Sequence, residues 1–535
     1  KVCADVEVMV PDIASAYKSR MKVADLSSPD EIKIFDDLKE QVLQAGIALK
    51  NDMKVITLQM NEPTLDDTMP DNERFTRALR AQTGVECVRI SFTALKKLAF
   101  VLRESQFDIQ VVLRQTEHDL FVYDVFKKEK NVIVGGMAVD IGTTTVSAII
   151  MTGEILAKGS AGNGQIRYGA DVINRIIESG KPGGREKLQK AVIDETINPL
   201  IDTMCRQAHL DHSQIYRLCI ASNTTMNHLL LGVFADPVRM EPFVPSFFKT
   251  NSVYAYNIGV NVNQDAHIIL APNIGSYVGG DITAGAFVSM LWNKPEFSLF
   301  IDLGTNGEIV FGNSDFMFSC ACSAGPAFEG GDISCGMRAT DGAIEACTID
   351  EETMEPTYSV VGDPGTKPVG ICGSGIIDII AELFRCKIIS PKGKFIREGK
   401  RVRHDEHGMG SYVIAFQEDA GSVKDVEITE VDIDSFIRAK GAIFSAIRTM
   451  LSYCDFDVSM IEHVYVAGGI GSGINMQNAI RIGMFPDVPL ELYEYIGNSS
   501  LVGAFAMLYS NEAERKVYEI AQNMTYIELS NINAY

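Results

Sequence analysis

Two segments of this chain carry the same polar device. AVDIGTTTVSAII (138–150) and FIDLGTNGEIVF (300–311) each run from apolar residues into Asp, one further apolar residue, Gly and Thr, then into a second apolar run. Apolar, β-branched flanks predict two strands joined by a tight turn. Glycine in such a turn lets the backbone approach a ligand with no Cβ in the way. Successive backbone N–H groups and Thr hydroxyls aimed at one spot suit phosphate oxygens. The acid that ends the first strand would repel phosphate directly, but it can hold Mg2+ through water. Two such hairpins facing one another across a cleft would grip a triphosphate from both sides.

A third segment supports the pair. VYVAGGIGSGIN (464–475) reads as a buried strand ending in a glycine-rich turn that opens a helix. Such a turn lets a flat, wide group lie against the backbone and places a helix N-terminus nearby. The G-x4-G-K-[ST] pattern of a P-loop is absent.

The elements around these motifs divide the chain. Residues 1–50 read as a linker region containing a short strand at 5–11 and a helix within 27–52 weakened by Gly46. Residues 51–131 read as a small α/β module: strand 53–60, a Pro- and Asp-rich connector 61–75, a helix near 71–82, then strands and one helix. Residues 132–535 form the main body, in two halves (about 132–297 and 298–535) whose elements follow a similar order. Helices are expected at 171–178, 185–209, 373–384, 435–453 and 500–508. This is duplication of a whole subdomain rather than a short-period repeat.

Bulk properties exclude several classes. With 535 residues and 46% hydrophobic content the chain can bury a large core. No long apolar run predicts a membrane span, and no basic-plus-apolar start predicts a secretory signal. A net charge of −22 argues against nucleic acid as a partner. The 11 cysteines show neither zinc nor plant-type iron–sulfur spacing and are expected to be reduced, with Cys320, Cys322, Cys335 and Cys347 as small buried hydrophobes. Residue 1 is Lys rather than Met, so the sequence reads as a fragment or processed form.

The three motifs, in this order, resemble the phosphate-1, phosphate-2 and adenosine motifs of the acetate and sugar kinase/Hsp70/actin superfamily. ASNTTMNHLLLG (221–232) and LVGAFAML (501–508) fall where that superfamily places its connecting helices. More narrowly, SNTTMNHLLLG, SAGPAFEGGDISCGMRATDGAIE (323–345), GICGSGIIDIIAEL (370–383) and the connector EPTLDDTMPDNERF resemble the ATP-dependent reductive activators of corrinoid proteins. Members of that family re-reduce the cobalt of an oxidised corrinoid methyltransferase subunit. The resemblance implies duplicated actin-like (ribonuclease H-like) ATPase lobes beside the small N-terminal α/β module. It implies a cytoplasmic ATPase using ATP and Mg2+, a corrinoid-protein partner and a homodimer. It also implies an N-terminal ferredoxin-like domain with a [2Fe-2S] cluster. This sequence lacks that cysteine spacing and is expected to be trimmed just after that domain, keeping the nucleotide and partner surfaces without passing electrons itself.

Residue by residue, the resemblance assigns Asp140 and Asp302 to Mg2+. Gly142, Thr143, Thr144 and Thr145 fall on one side of the phosphates, and Gly304, Thr305, Asn306 and Gly307 on the other. Gly468, Gly469, Gly471 and Ser472 are expected at adenosine. Glu308 is the candidate to orient the attacking water, against the plainer reading of an exposed acid or strand-end ion pair. Asp281 opens a helix, where capping competes with a role near the γ-phosphate. Asn223 is either a helix cap or a phosphate contact. Gly330 and Gly331 form a further glycine turn that could touch nucleotide. His228 is expected to be a satisfied core histidine. Alternatives are a small-molecule kinase of the same superfamily, the activator ATPase of a 2-hydroxyacyl-CoA dehydratase system, and a filament-forming actin-like protein.

Overall fold

The computed structural model describes residues 22–24, 29–251, 253–469 and 473–532. The strand expected at 5–11, with Gly471 and Ser472, lies outside them. The described chain forms two compact units: residues through Asp281 with Gly503–Tyr518, and Ile282–Val502 with the residues from Glu519 on.

The first unit begins with a small four-stranded sheet, ordered Met53–Gln59, Asp108–Gln115, Asp119–Lys127, Cys87–Ile90. The first two pairings are antiparallel, and Cys87–Ile90 joins in parallel. Helices Asp71–Thr83 and Phe92–Glu104 bury Phe75, Leu79, Leu98 and Leu102 against Val111, Leu113, Leu120 and Val122. Local signals set their ends. Pro70 precedes the first helix and Gly84, at φ 72°, stops it. The Ser91 side chain accepts the Ala94 N–H and caps the second.

The large sheet of this unit runs Lys22–Ala24, Ile155–Gly162, Thr145–Met151, Gly135–Ile141, Ile215–Ser222, His267–Leu270, Val253–Tyr254. Three consecutive strands form an antiparallel meander, and two later strands extend it in parallel on the other side. The second unit repeats this plan with Met317–Cys322, Gly307–Gly312, Ser298–Leu303, His463–Ala467 and Tyr493–Tyr495. In both, the central strand is the one that carries the motif Asp one residue before its end. The duplication expected from the paired motifs is therefore one of topology, and each large sheet has its own core.

Several elements differ from expectation for identifiable reasons. The helix expected over 185–209 is two helices, Gly184–Val192 and Asn198–Ala208, joined by a π-turn at Ile193–Ile197. Pro199 offers no backbone N–H there, and the wider turn absorbs the lost bond. The first described helix, Pro29–Gln44, ends short of Gly46, which sits at φ 84°. The helix expected from 435 starts at Glu430, because Thr429 and Asp432 close a reciprocal capping box. The second unit also holds two three-stranded sheets between its hairpin and its fourth strand. Their short strands alternate too weakly to be told from loop in the sequence.

One carboxylate ties the first unit together. Arg217, fully buried, donates to Glu514 Oε2 (2.5 Å) and to the Leu508 carbonyl (3.0 Å). Arg114 of the small sheet donates to the same Oε2 (2.8 Å) and to Asn511 Oδ1 (2.8 Å). Replacing Glu514 by Gln leaves the buried Arg217 and the part-buried Arg114 sharing an uncharged amide. We expect E514Q to lower the unfolding free energy by about 3–5 kcal/mol in urea titration. A loss below about 1 kcal/mol would show that the three segments do not depend on this charge.

Candidate functional site

In the first unit, Asp140 stands directly opposite Ser147 and beside Ala221, one residue before its strand ends. The turn that follows closes through Gly142 N–H to the Thr145 carbonyl (2.9 Å). A Cβ on Gly142 would lie 2.9 Å from that same oxygen, so the turn requires glycine. Its next three carbonyls are tied to one neighbouring segment. Gly142 O accepts from Asn163 Nδ2 (2.9 Å), Thr143 O from Arg175 Nη2 (2.5 Å), and Thr144 O from Asn163 N (2.9 Å). In a trans peptide the C=O of one residue and the N–H of the next point in opposite directions. The amides of Thr143, Thr144 and Thr145 therefore face away from Asn163 and Arg175, as a phosphate cradle requires.

Arg175 is itself unusual. It is fully buried, and beyond Thr143 it reaches Gly169 O (2.8 Å) and Gln165 Oε1 (3.4 Å). None of these partners is a carboxylate. Burial pulls its guanidinium down to about 10, which leaves it charged at neutral pH, and Asp171 offsets this only at a distance. A positive charge thus lies directly behind the turn. Asn223 closes the other flank: its Nδ2 meets Thr143 Oγ1 (3.5 Å), and its Oδ1 caps helix Thr224–Leu231 through Met226 N (2.9 Å). Both roles considered for Asn223 are compatible, because one side chain does the capping and reaches the turn. Gly279 packs against this helix start, where a Cβ would be 2.5 Å from Asn223 Cα. Asp281 follows within the first turn of helix Gly280–Ser289, not at its cap position.

In the second unit, Asp302 stands directly opposite Glu308 and beside Ala467. Facing residues of an antiparallel pair share one face of the sheet, so the two acids are neighbours. Glu308 is 7% exposed, which removes the reading of a solvated strand-end acid. The turn closes through Gly304 N–H to Asn306 O (3.0 Å), and Thr305 Oγ1 meets Glu329 Oε1 (3.1 Å). Gly307 packs inward, with a Cβ there 3.0 Å from Cys322 Sγ and 3.1 Å from Ile443. Gly330 and Gly331 donate their N–H groups within their own loop, to Ala327 O and Pro326 O. Their place is to fold the loop that brings Glu329 to Thr305.

The third motif returns to the same acid. Gly468 has φ 105°, and a Cβ there would lie 2.2 Å from Leu303 O and 3.0 Å from Asp302 Oδ1. Only glycine lets the chain pass so close. Tyr495 donates to Gly468 O (3.0 Å), and Gly469 has open space where a side chain would begin. Gly473 packs on Ser374, in the first turn of helix Gly373–Arg385.

Other expectations resolve simply. His228 is buried, with Nδ1 against Thr224 O (2.7 Å) and Nε2 accepting from Ser246 N (3.0 Å); burial lowers its pKa. It is a core histidine. Every described cysteine is a free thiol, and burial raises Cys320 far up and Cys322 to about 12. Among the described residues no cluster of three or more His, Cys, Asp or Glu could hold a metal. Each within its own unit, Asp140 and the Asp302–Glu308 pair supply carboxylate oxygens only, the donor type that suits Mg2+, which keeps much of its water.

Comparison with known proteins matches nearly all of the chain from residue 42 on. Residues 42–131 match the RACo linker region, 135–294 the RACo middle region, and 296–535 the C-terminal domain of RACo, the ASKHA domain. A solved "Reductive activator for corrinoid,iron-sulfur protein" superposes with a TM-score of 0.83 at 41% identity, covering 91% of this chain and 77% of that one. The corrinoid activation enzyme RamQ of Eubacterium limosum is 34% identical over 414 residues, 75% of this chain and 69% of that protein. The chain belongs to the RACo family. A further relative, the "[Co(II) methylated amine-specific corrinoid protein] reductase" of Methanosarcina barkeri, is 26% identical over 444 residues, 73% of each chain.

Within this RACo chain, three residues of the site escaped sequence reading. Arg175 sits mid-helix at a position that reads as a surface charge. Asn163 lies in a glycine-rich stretch with no motif. Glu329 stands beside the Gly330–Gly331 pair, which drew attention to the glycines instead. We expect Arg175→Met to raise the Kd for Mg–ATP by about tenfold in calorimetry. We expect it to lower unfolding free energy by about 1–3 kcal/mol, since three acceptors lose a donor. Unchanged nucleotide affinity in a destabilised variant would mean that Arg175 supports the fold and not the turn.

Proposed function

We propose that this chain is an ATP-hydrolysing activator of corrinoid proteins. It couples ATP binding and hydrolysis to one-electron reduction of the Co(II) corrinoid of a methyltransferase subunit to Co(I). The electron comes from a ferredoxin-like [2Fe-2S] domain, for which this sequence carries no cysteine spacing. The observation that carries the reading is an acidic hairpin built twice onto the same five-strand plan, in a chain of the RACo family. The names of the relatives support the corrinoid protein as partner. The reading includes a homodimer in the cytoplasm; among the described residues no helix is long and apolar enough to cross a membrane.

The chain's own residues divide the work. Amides and hydroxyls of Thr143, Thr144 and Thr145 bind phosphate oxygens, with Gly142 shaping the turn and Asn223 and Arg175 fixing it. Thr305 and Asn306 do the same from the second hairpin, with Gly304 and Gly307 allowing its close packing. Asp140 and Asp302 hold Mg2+ through water, and the bound ion neutralises charge on the β- and γ-phosphates. Glu308 orients the attacking water and accepts its proton, and Asp281 stands toward the γ-phosphate. Gly468 and Gly469, with Gly471 and Ser472, receive adenosine. Gly330 and Gly331 act through Glu329.

Phosphoryl transfer of this kind needs positioning and charge stabilisation more than covalent catalysis. Reduction of Co(II) is uphill for ordinary donors, so the ATP and ADP states must differ in affinity for the corrinoid protein. We expect ATP turnover to rise several-fold on adding a Co(II) corrinoid protein, with Co(I) absorption appearing only when ATP and an iron–sulfur donor are both present. Stimulation by a sugar or small acid, with none by any corrinoid protein, would instead favour the kinase alternative.

A further inference from the structure

Away from the hairpins, the first unit holds a cavity of about 320 Å3 where the small sheet meets the large one. Tyr216 lines it. This residue is only 2% exposed, and its hydroxyl has no hydrogen-bond partner among the described residues. Beside it, Asp124 is buried and saturated. Lys97 Nζ reaches both of its oxygens (2.9 and 2.8 Å), and Val125 N donates to Oδ1 (2.9 Å). The acid of the cavity is therefore neutralised by Lys97, and the Tyr216 hydroxyl is left as a donor without a partner among the described residues. Lys130 also lines the cavity; its Nζ lies 4.2 Å from the centre of the Phe126 ring and forms no close ion pair among the described residues, with Asp211 acting on it only from a distance. An unmet hydroxyl and an unmet ammonium beside a satisfied acid fit an incoming carboxylate.

The cavity opens into a shallower groove of about 710 Å3 that shares Lys97, Phe126 and Lys130 with it. Phe100 lines this groove at 64% exposure, and Phe92, on the same helix, is 69% exposed. Lysines attend these rings: Lys96 lies over Phe92 (4.9 Å) and Lys127 over Phe100 (5.7 Å). In a chain of net charge −22, these rings are attended by Lys96, Lys97, Lys127 and Lys130 against Asp124, Glu104 and Glu129, of which Asp124 and Glu104 are already paired with Lys97 and Lys127. Exposed apolar stripes of this kind mark interaction surfaces. A free metabolite would fill the cavity and leave the phenylalanines in water. A protein segment carrying an acidic residue among apolar ones covers both.

We propose that the Phe92–Phe100 stripe and the Tyr216 cavity together dock an acidic, apolar-flanked segment of the corrinoid protein, whose carboxylate enters between Tyr216 and Lys130. This rests on the activator reading above. The test is the affinity of the full chain for the Co(II) corrinoid protein that stimulates its ATP turnover. Four variants are compared: Lys130→Glu, Phe100→Ser, Tyr216→Phe, and Lys392→Glu as an exposed lysine of the other unit. We expect Kd to rise about tenfold for the first two and about threefold for Tyr216→Phe, with basal ATP hydrolysis unchanged and Lys392→Glu within about twofold of wild type. Wild-type binding should also weaken with salt. Variants that all bind within about twofold of wild type would overturn the docking surface alone. A wild-type chain that binds no corrinoid protein would overturn the activator reading with it. A free carboxylate such as citrate that raises the melting temperature through Tyr216 without displacing the corrinoid protein would assign the cavity to a metabolite and overturn the proposal.

Discussion

A backbone turn can offer its amides to an anion only if its carbonyls are satisfied elsewhere, because each peptide plane carries one of each in opposite directions. The first hairpin meets this constraint with Asn163 and Arg175, which take up the carbonyls of Gly142, Thr143 and Thr144. The turn is then fixed before any ligand arrives, and a ligand pays no cost of ordering it. A buried guanidinium is expensive to maintain without a carboxylate. Its position behind the turn makes that cost intelligible if the front of the turn receives a strong anion.

The two hairpins share a topology and differ in chemistry. Opposite Asp140 stands Ser147, and opposite Asp302 stands the buried Glu308. The first hairpin thus carries one acid, and the second pairs two acids on one face. Under the proposed reading, that difference divides holding the phosphates from activating water. Gly468 adds the third strand of the arrangement by passing within contact of Asp302, so the turn assigned to adenosine and the acid assigned to the metal are built as one piece of backbone.

Much of this was legible in the sequence. The Asp-x-Gly-Thr runs marked both central strands, and the glycine-rich turn marked the end of the parallel strand beside the second. The small α/β module and the helix cap at Asn223 were also readable, since they rest on local signals in the sequence. What was not readable depends on distance along the chain. Arg175 meets Thr143 from 32 positions away, and Glu329 meets Thr305 across an intervening strand pair, so neither leaves a spacing pattern. The break at Ile193–Ile197 turned on one proline inside an otherwise helical pattern.

The central claim is that both acidic hairpins serve the same nucleotide. Titration of the chain with Mg–ATP by calorimetry tests it most directly, with Asp140→Asn and Asp302→Asn beside the wild type. The account predicts one nucleotide per chain and a loss of Mg-dependent affinity at that one site in each variant. Two independent sites, or a variant of either aspartate that binds Mg–ATP as tightly as the wild type, would contradict it.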